Sequence, residues 1–191
     1  MKQYIIPVSN SPFSSPKAEI STFLWETNGY SPKTTAQLAI NNEKLMLYME
    51  CYESNPLAKC TADESEIWCD SCMEFFFAPN DDKRYCNLEI NANGCTICGL
   101  GESRFDRISV DFLLKRIEAM VKSDKWSIYA EISLEKLRKI YGNITFESFR
   151  GNLYKCGDET EFPHFGMWSP IDWEEADFHR PEFFGKFLIE K

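Results

Sequence analysis

Two C-x2-C pairs and one indole–carboxylate pair lie in neighbouring stretches of the chain. The first stretch, IWCDSCMEFFF over residues 67–77, holds Cys69 and Cys72 together with Trp68, Asp70 and Glu74, and the second, CTIC, holds Cys95 and Cys98. Four thiolates in two such pairs are a usual zinc arrangement, and CTICGLG carries the trailing glycines that a knuckle turn favours. The first stretch also offers a different chemistry. A Trp presents a flat apolar platform, while carboxylates and amides hold hydroxyls. The two readings make opposite demands on the backbone. Zinc requires the chain to break between Cys69 and Cys72, because residues three apart in a continuous strand face opposite sides. Phe75 and Phe77 continue a two-residue alternation, and CDSCMEF has no glycine after its second cysteine. The strand reading is therefore favoured, with the set Cys69, Cys72, Cys95 and Cys98 as the alternative.

The elements that must position these groups show mostly period two. Leu45, Leu47, Met49 and Cys51 share one face of KLMLYMECYE; Cys86, Leu88 and Ile90 share one face of RYCNLEINA; Trp126, Ile128, Ala130 and Ile132 share one face of KWSIYAEIS. With IWCDSCMEFFF these make four half-buried strands. FESFRGNLYK and FFGKFLIE fit less cleanly, the first with Phe149, Gly151 and Leu153 opposite Arg150, Asn152 and Tyr154. Ser133 caps a helix over LEKLRKIY that Gly142 ends. SVDFLLKRIEAMVKSDK suits either an amphipathic helix or a strand turning at residues 122–125 into Trp126. The expected fold is all-β, a two-layer, mostly antiparallel β-sandwich with minor helix. It is expected as a single domain over 1–191, with residues 1–43, rich in Ser, Pro and Asn at their start, as an irregular segment packed on it.

Composition narrows the partners. The 191 residues carry a formal net charge of -9 and include 15 Phe, 8 Tyr and 5 Trp. No basic patch is available to follow phosphates, which argues against nucleic acid and an anionic membrane. No apolar run approaches a membrane span of about 20 residues. The N-terminus as written is not a signal peptide, so eight cysteines read as thiols and the expectation is cytoplasmic, or extracellular if a leader was removed. Oligomeric state is not legible.

APNDDKR between the second and third strands is a turn, and core faces of odd parity in one strand and even parity in the other require odd pair sums. A sum near 161 sets Phe75 opposite Cys86, Glu74 opposite Asn87 and Cys72 opposite Glu89. The outer face then gathers Trp68, Asp70, Glu74, Asn87, Glu89 and Asn91, a mixture suited to a carbohydrate ring with apolar C–H faces and a hydroxyl rim. A solvated sheet face would also be polar.

The blocks W-x-D-S-x-x-E-F-F-F, Y-x-N-L-E-I-N-A-N-G, W-S-I-Y-A-E-I-S-L-E-K-L and P-E-F-F-G-K-F-L-I-E, in that order from about residue 45 onward, resemble a family-nine-like carbohydrate-binding module. The resemblance implies a DOMON-like sandwich without catalysis that binds oligo- or polysaccharide, as in xylanase-attached modules. There, two aromatic side chains sandwich the terminal sugar. Trp68 matches the first aromatic, Glu74 a hydroxyl-binding carboxylate, and Phe178 the second aromatic. Glu89 stands where the family carries an arginine, which reverses the charge; Arg150 is the candidate replacement cation, with Asn152 and Tyr154 on its face. Trp168 either lines the site or packs beneath a loop. No cofactor is expected: structural calcium occurs in some relatives, but no acidic loop here is specific for it. A glycosidase needs two carboxyls about 5 to 10 Å apart across the scissile bond with tuned acidity, and nothing in the pattern indicates tuning. The alternative is a structural or protein-interaction sandwich of the same fold with a decayed sugar slot.

Overall fold

Period-two alternation governs both layers. The computed structural model of the chain describes residues 1–25, 28–79, 82–142 and 147–190. One sheet has the order β10 (Leu114–Val121), β11 (Trp126–Ser133), β5 (Lys44–Cys51), β4 (Thr34–Ile40) and β2 (Ala18–Ile20). The other has the order β1 (Gln3–Ile6), β14 (Gly185–Ile189), β12 (Ser148–Gly157), β6 (Cys72–Pro79), β7 (Tyr85–Asn91), β8 (Thr96–Gly101) and β9 (Ile108–Ser109). β13 (His164–Met167) pairs with the second half of β12, and β3 (Thr22–Phe23) pairs with β13. The sole α-helix among the described residues, α1 (Leu134–Tyr141), begins with Ser133 Oγ accepting the Lys136 N–H and ends at Gly142, whose φ of 76° suits glycine. The ambiguous stretch resolves as β10, which forms a hairpin with β11 closed by Lys122 N–H donating to the Lys125 carbonyl.

The inner faces meet in one core. Leu45, Leu47, Met49 and Cys51 from one sheet pack with Ile128, Ala130 and Ile132 against Phe75, Phe77, Cys86, Leu88 and Phe187 of the other. Phe75 stacks on Phe77 at 4.9 Å and Phe149 on Phe187 at 5.1 Å. Each such pair is worth about 0.5–1.5 kcal/mol beyond the area it buries.

Three expectations are corrected. Residues 1–43 are not an irregular appendage. β4 is buried along its whole length and forms an inner strand, and β1 adds in parallel to β14 at the edge of the other sheet. Polar side chains in β4 obscured it, and their needs are met by the preceding loop: Gln37 Nε2 donates to the carbonyls of Phe13 and Ser15. Second, IWCDSCMEFFF is not one strand. Ile67–Cys69 form a 3₁₀ turn and β6 begins at Cys72. The break is fixed by Asp70, whose buried carboxylate accepts the Lys59 and Cys60 N–H groups and the Asn91 amide. Third, the β6–β7 register runs two residues beyond the expected sum, setting Phe75 opposite Leu88 and Glu74 opposite Glu89. Parity is preserved, so the paired side chains of β6 and β7 keep their expected faces. Part of the connecting turn, residues 80 and 81, lies outside the described residues.

A buried polar network closes one part of the core. Lys155 Nζ donates to the Cys156 carbonyl at 2.7 Å and to His164 Nε2 at 2.6 Å, and lies 3.3 Å from Glu53 Oε2. Glu53 also accepts from Trp126 Nε1 and Ser71 Oγ. Burial alone would raise the Glu53 carboxyl, but Lys155, Trp126, His164 and Ser71 outweigh it and hold it below its usual range. Burial and then Lys155 push His164 down to about 4, so the ring is neutral, with Nδ1–H donating to Phe162 and Nε2 accepting from Lys155. His164 is a buried residue at the start of β13. Lys155→Met strands the Glu53 carboxylate and is expected to cost about 3–5 kcal/mol in urea unfolding, while Lys155→Met with Glu53→Gln recovers much of the loss.

Candidate functional site

The outer face of β6, β7 and β12 is bordered by the segments that carry Trp68, Arg107 and Phe178, and among them lies a cavity of about 280 Å³. Trp68, Glu74, Asn87, Glu89 and Phe178 all line it. Trp68 reaches it from the 3₁₀ turn. That turn is anchored below by fully buried Ile67 and sideways by the Trp68 carbonyl, which accepts the Asp158 N–H at 3.2 Å. The indole is half-buried, as a stacking platform must be. Phe178 arrives on the loop that follows β13. Its carbonyl accepts from Tyr154 Oη at 3.1 Å, and its ring stacks on Tyr154 at 4.1 Å with an 8° interplanar angle. The adjoining His179 ring is hydrogen-bonded to Tyr85 Oη at 2.8 Å. Trp68 and Phe178 both pack against the buried patch of Ile67, Cys72 and Cys156.

The cavity floor carries acids. Glu74 and Glu89 are register partners on β6 and β7, 3% and 5% exposed. Burial, then the Cys156 thiol and Glu89, raise Glu74 well above the usual carboxyl range. Burial pushes Glu89 up to about 7 against the Asn87 hydrogen bond and the Arg107 charge, which both pull it down. The acidity of these carboxyls is thus shifted, contrary to the expectation from pattern alone. Register was the missing information.

Two arginines from the loop between β8 and β9, Arg104 and Arg107, line the cavity, and Arg107 is the one bonded into its floor. Its Nε donates to Asn87 Oδ1 at 3.0 Å, and its Nη2 also bonds Asn87 Oδ1 and the carbonyls of Tyr85 and Gly99. The guanidinium lies 4.3 Å from the Tyr85 ring centroid. Asn87 then passes its amide N–H to Glu89 Oε1 at 2.8 Å, so a chain runs Arg107, Asn87, Glu89. Gly99 makes room for it, since a Cβ there would stand 2.6 Å from Asn87 Oδ1. Asp106 braces the loop by accepting from Ser103 Oγ and the backbone N–H groups of Ser103 and Glu102, which hold its carboxyl down at about 2.

Four expected site residues lie elsewhere. Arg150 does not supply the cation: its guanidinium faces the carbonyls of Pro181 and Asp82 at 3.4 Å. Asn152 is wholly buried and holds Ser169 through both its backbone N–H and carbonyl. Asn91 clamps Asp70, the Cys60 carbonyl and the turn at Cys95. Trp168 packs in the core on Phe187, over Gly185, where no side chain would fit. The four-cysteine zinc set is also dispersed. Cys98 faces the inter-sheet core opposite Leu88, whereas Cys72 faces the opposite side of its sheet. Residues missed from the sequence include Arg104, Arg107, Asp158, Phe165, Asp177 and His179. Two arginines in GESRFDRIS, a loop next to a strand, were the one local signal.

The family model for carbohydrate-binding family 9 matches residues 13–189. The chain belongs to carbohydrate-binding family 9. Family 9 modules are non-catalytic, so the facing carboxyls are given no hydrolytic role. A candidate carbohydrate-binding protein from Bacteroides uniformis is similar over 99% of both chains, with a TM-score of 0.84 and 23% identity. A family 9 module from Caldicellulosiruptor kristjanssonii in complex with glucose superposes with a TM-score of 0.72 at 10% identity, covering 99% of this chain and 96% of that one. Its complex with cellotriose gives 0.70 at 10% identity, covering 99% and 94%. At such identities the likeness is one of fold, and it bears out the two-sheet sandwich. No curated protein matches the sequence.

Glu89 provides a pH test of this family 9 floor. Its folded value of about 7 exceeds the unfolded carboxyl value of about 4.3, so the fold favours the protonated form. That contribution is complete below the unfolded value and is lost as pH rises through the folded one. The stability of the wild type relative to Glu89→Gln should therefore fall between about pH 4 and 7 in paired urea titrations and level off above that. A constant difference would contradict the assignment.

Proposed function

We propose that this module binds carbohydrate non-catalytically, holding the terminal ring of a saccharide between Trp68 and Phe178. The observation that carries the reading is the coincidence, in one cavity, of a half-buried indole and a second aromatic ring with hydroxyl-binding acids on the floor. A sugar ring needs both kinds of surface. Its C–H faces bury apolar area against aromatic rings, and its hydroxyls donate and accept in the plane between. Glu74 and Glu89 each keep an oxygen, Oε2, without a hydrogen-bond partner among the described residues, aimed at a cavity that both line. A protonated carboxyl donates as well as accepts, which suits it to hydroxyls. The volume of about 280 Å³ is near the lower end of the roughly 300–1,000 Å³ of small-molecule sites, and favours a chain end over a long internal run.

The arginine that the wider family places in the third strand is replaced in charge, though not in position, by Arg107. It approaches the same face from the neighbouring loop and leaves Glu89 free to meet hydroxyls. Glucose and cellotriose, bound by the Caldicellulosiruptor kristjanssonii module, are the first ligands to test. Calorimetric titration with glucose, cello-oligosaccharides and xylo-oligosaccharides is expected to give saturable binding. Trp68→Ala and Phe178→Ala should each weaken it by about 1–2 kcal/mol, from lost stacking and apolar burial. Absence of heat across the panel, or unchanged affinity in Trp68→Ala, sinks the reading and favours a sandwich that binds protein instead.

A further inference from the structure

We propose that Cys72, Glu74 and Cys156 form a site for a single thiophilic divalent cation of the zinc class, set in the floor of the cavity. The three ligand atoms lie within 4.8 Å of one another, and all three residues are buried. This is a different set from the dispersed C-x2-C pairs, with which it shares only Cys72. Its members come from the strand ladder itself. Cys72 and Cys156 are direct register partners on β6 and β12, and Glu74 lies two residues along β6, on the same face. Cys156 Sγ already stands 3.0 Å from Glu74 Oε1.

The spacing suits the ion. Zinc takes sulfur at about 2.3 Å and carboxylate oxygen at about 2.0–2.2 Å in a tetrahedron, which sets the ligand atoms roughly 3.5–3.8 Å apart. The observed group needs only small side-chain rotations to reach that. Three protein ligands leave the fourth position open. Glu74 and Cys156 both line the cavity, so a water or a ligand hydroxyl completes the shell from that side. Electrostatics give a second, independent reason. Glu74 is 3% exposed and makes no ion pair among the described residues, and Asp158 and Glu89 line the same cavity. A buried acid without a counter-charge must hold a proton or a cation. Loading therefore exchanges protons for metal: both thiols and the Glu74 carboxyl each lose one to solvent, and three anionic ligands around a divalent ion carry a net charge of −1.

The test uses the reduced, metal-free chain with Zn²⁺ and Co²⁺ as probes. One equivalent of Zn²⁺ should bind with release of protons, measured by calorimetry in buffers of different ionisation enthalpy. Co²⁺ should give a thiolate charge-transfer band together with the visible absorption of tetrahedral cobalt. Cys72→Ser and Cys156→Ser should each weaken Zn²⁺ binding by roughly 100-fold. A variant with Ser at the half-buried cysteines 60, 69 and 95 should retain it. Binding that survives Cys72→Ser with Cys156→Ser, or a wild-type chain giving no cobalt–thiolate band, overturns the proposal without needing any variant to fold perfectly. Saccharide titration of the metal-free chain is read separately, so the two readings fail independently.

Discussion

Strand β6 has no solvent face, and the rest of the site depends on that constraint. Its residues are buried throughout, Met73, Phe75 and Phe77 against the other sheet and Cys72, Glu74 and Phe76 beneath the bordering segments. A strand covered on both sides cannot slip by one residue without driving Glu74 into the aromatic core. The same alternation that seats Phe75 on Phe77 therefore holds the Glu74 carboxyl in the cavity floor. Flanking β7 and β12 inherit this parity, which is why Glu89 and Cys156 share its face.

Charge is handled differently on the two faces of the neighbouring strand β12. On the core side Lys155 is compensated by Glu53 and fixed by His164, a closed network in which the ionised partners satisfy one another. On the cavity side Glu74 forms no ion pair among the described residues, and Arg107 is linked to Glu89 through Asn87. Satisfied buried polar groups add rigidity, whereas under-satisfied ones keep a preference for an incoming partner. The Lys155 network reads as scaffold, and the under-satisfied Glu74–Glu89 floor is consistent with the binding role proposed for it. The loops above contribute aromatic surface at little conformational cost, because each is already tied down: Trp68 through Asp158, Phe178 through Tyr154 and His179 through Tyr85.

What the sequence disclosed followed from alternation, and what it hid followed from loops and register. Core faces of β5, β7 and β11 were legible because apolar and polar residues take turns along them. β4 was not, because Gln37 and two threonines occupy a strand that the N-terminal loop, not water, covers. Trp68, Glu74 and Phe178 could be placed together through the family pattern, yet that pattern did not reveal that Trp68 sits on a turn. Asp70 reads in the sequence as an outer-face strand residue, whereas its carboxylate binds two backbone N–H groups and holds the turn before β6. Arg107 eluded the sequence because its role depends on a loop folding back over β7 past Gly99, a close approach that leaves no periodic mark. Arg150 shares parity with the site residues, and parity says nothing about position along the strand.

The proposed function stands or falls with the indole of Trp68 as the contact surface for a sugar ring. Five tryptophans give five indole N–H signals, which a nitrogen–proton correlation spectrum resolves individually once assigned by substitution. Addition of cellotriose should move the Trp68 signal in proportion to occupancy while those of Trp126 and Trp168, in the core, stay in place. A saturable shift confined to other indoles, or none at all at high ligand concentration, would contradict the account.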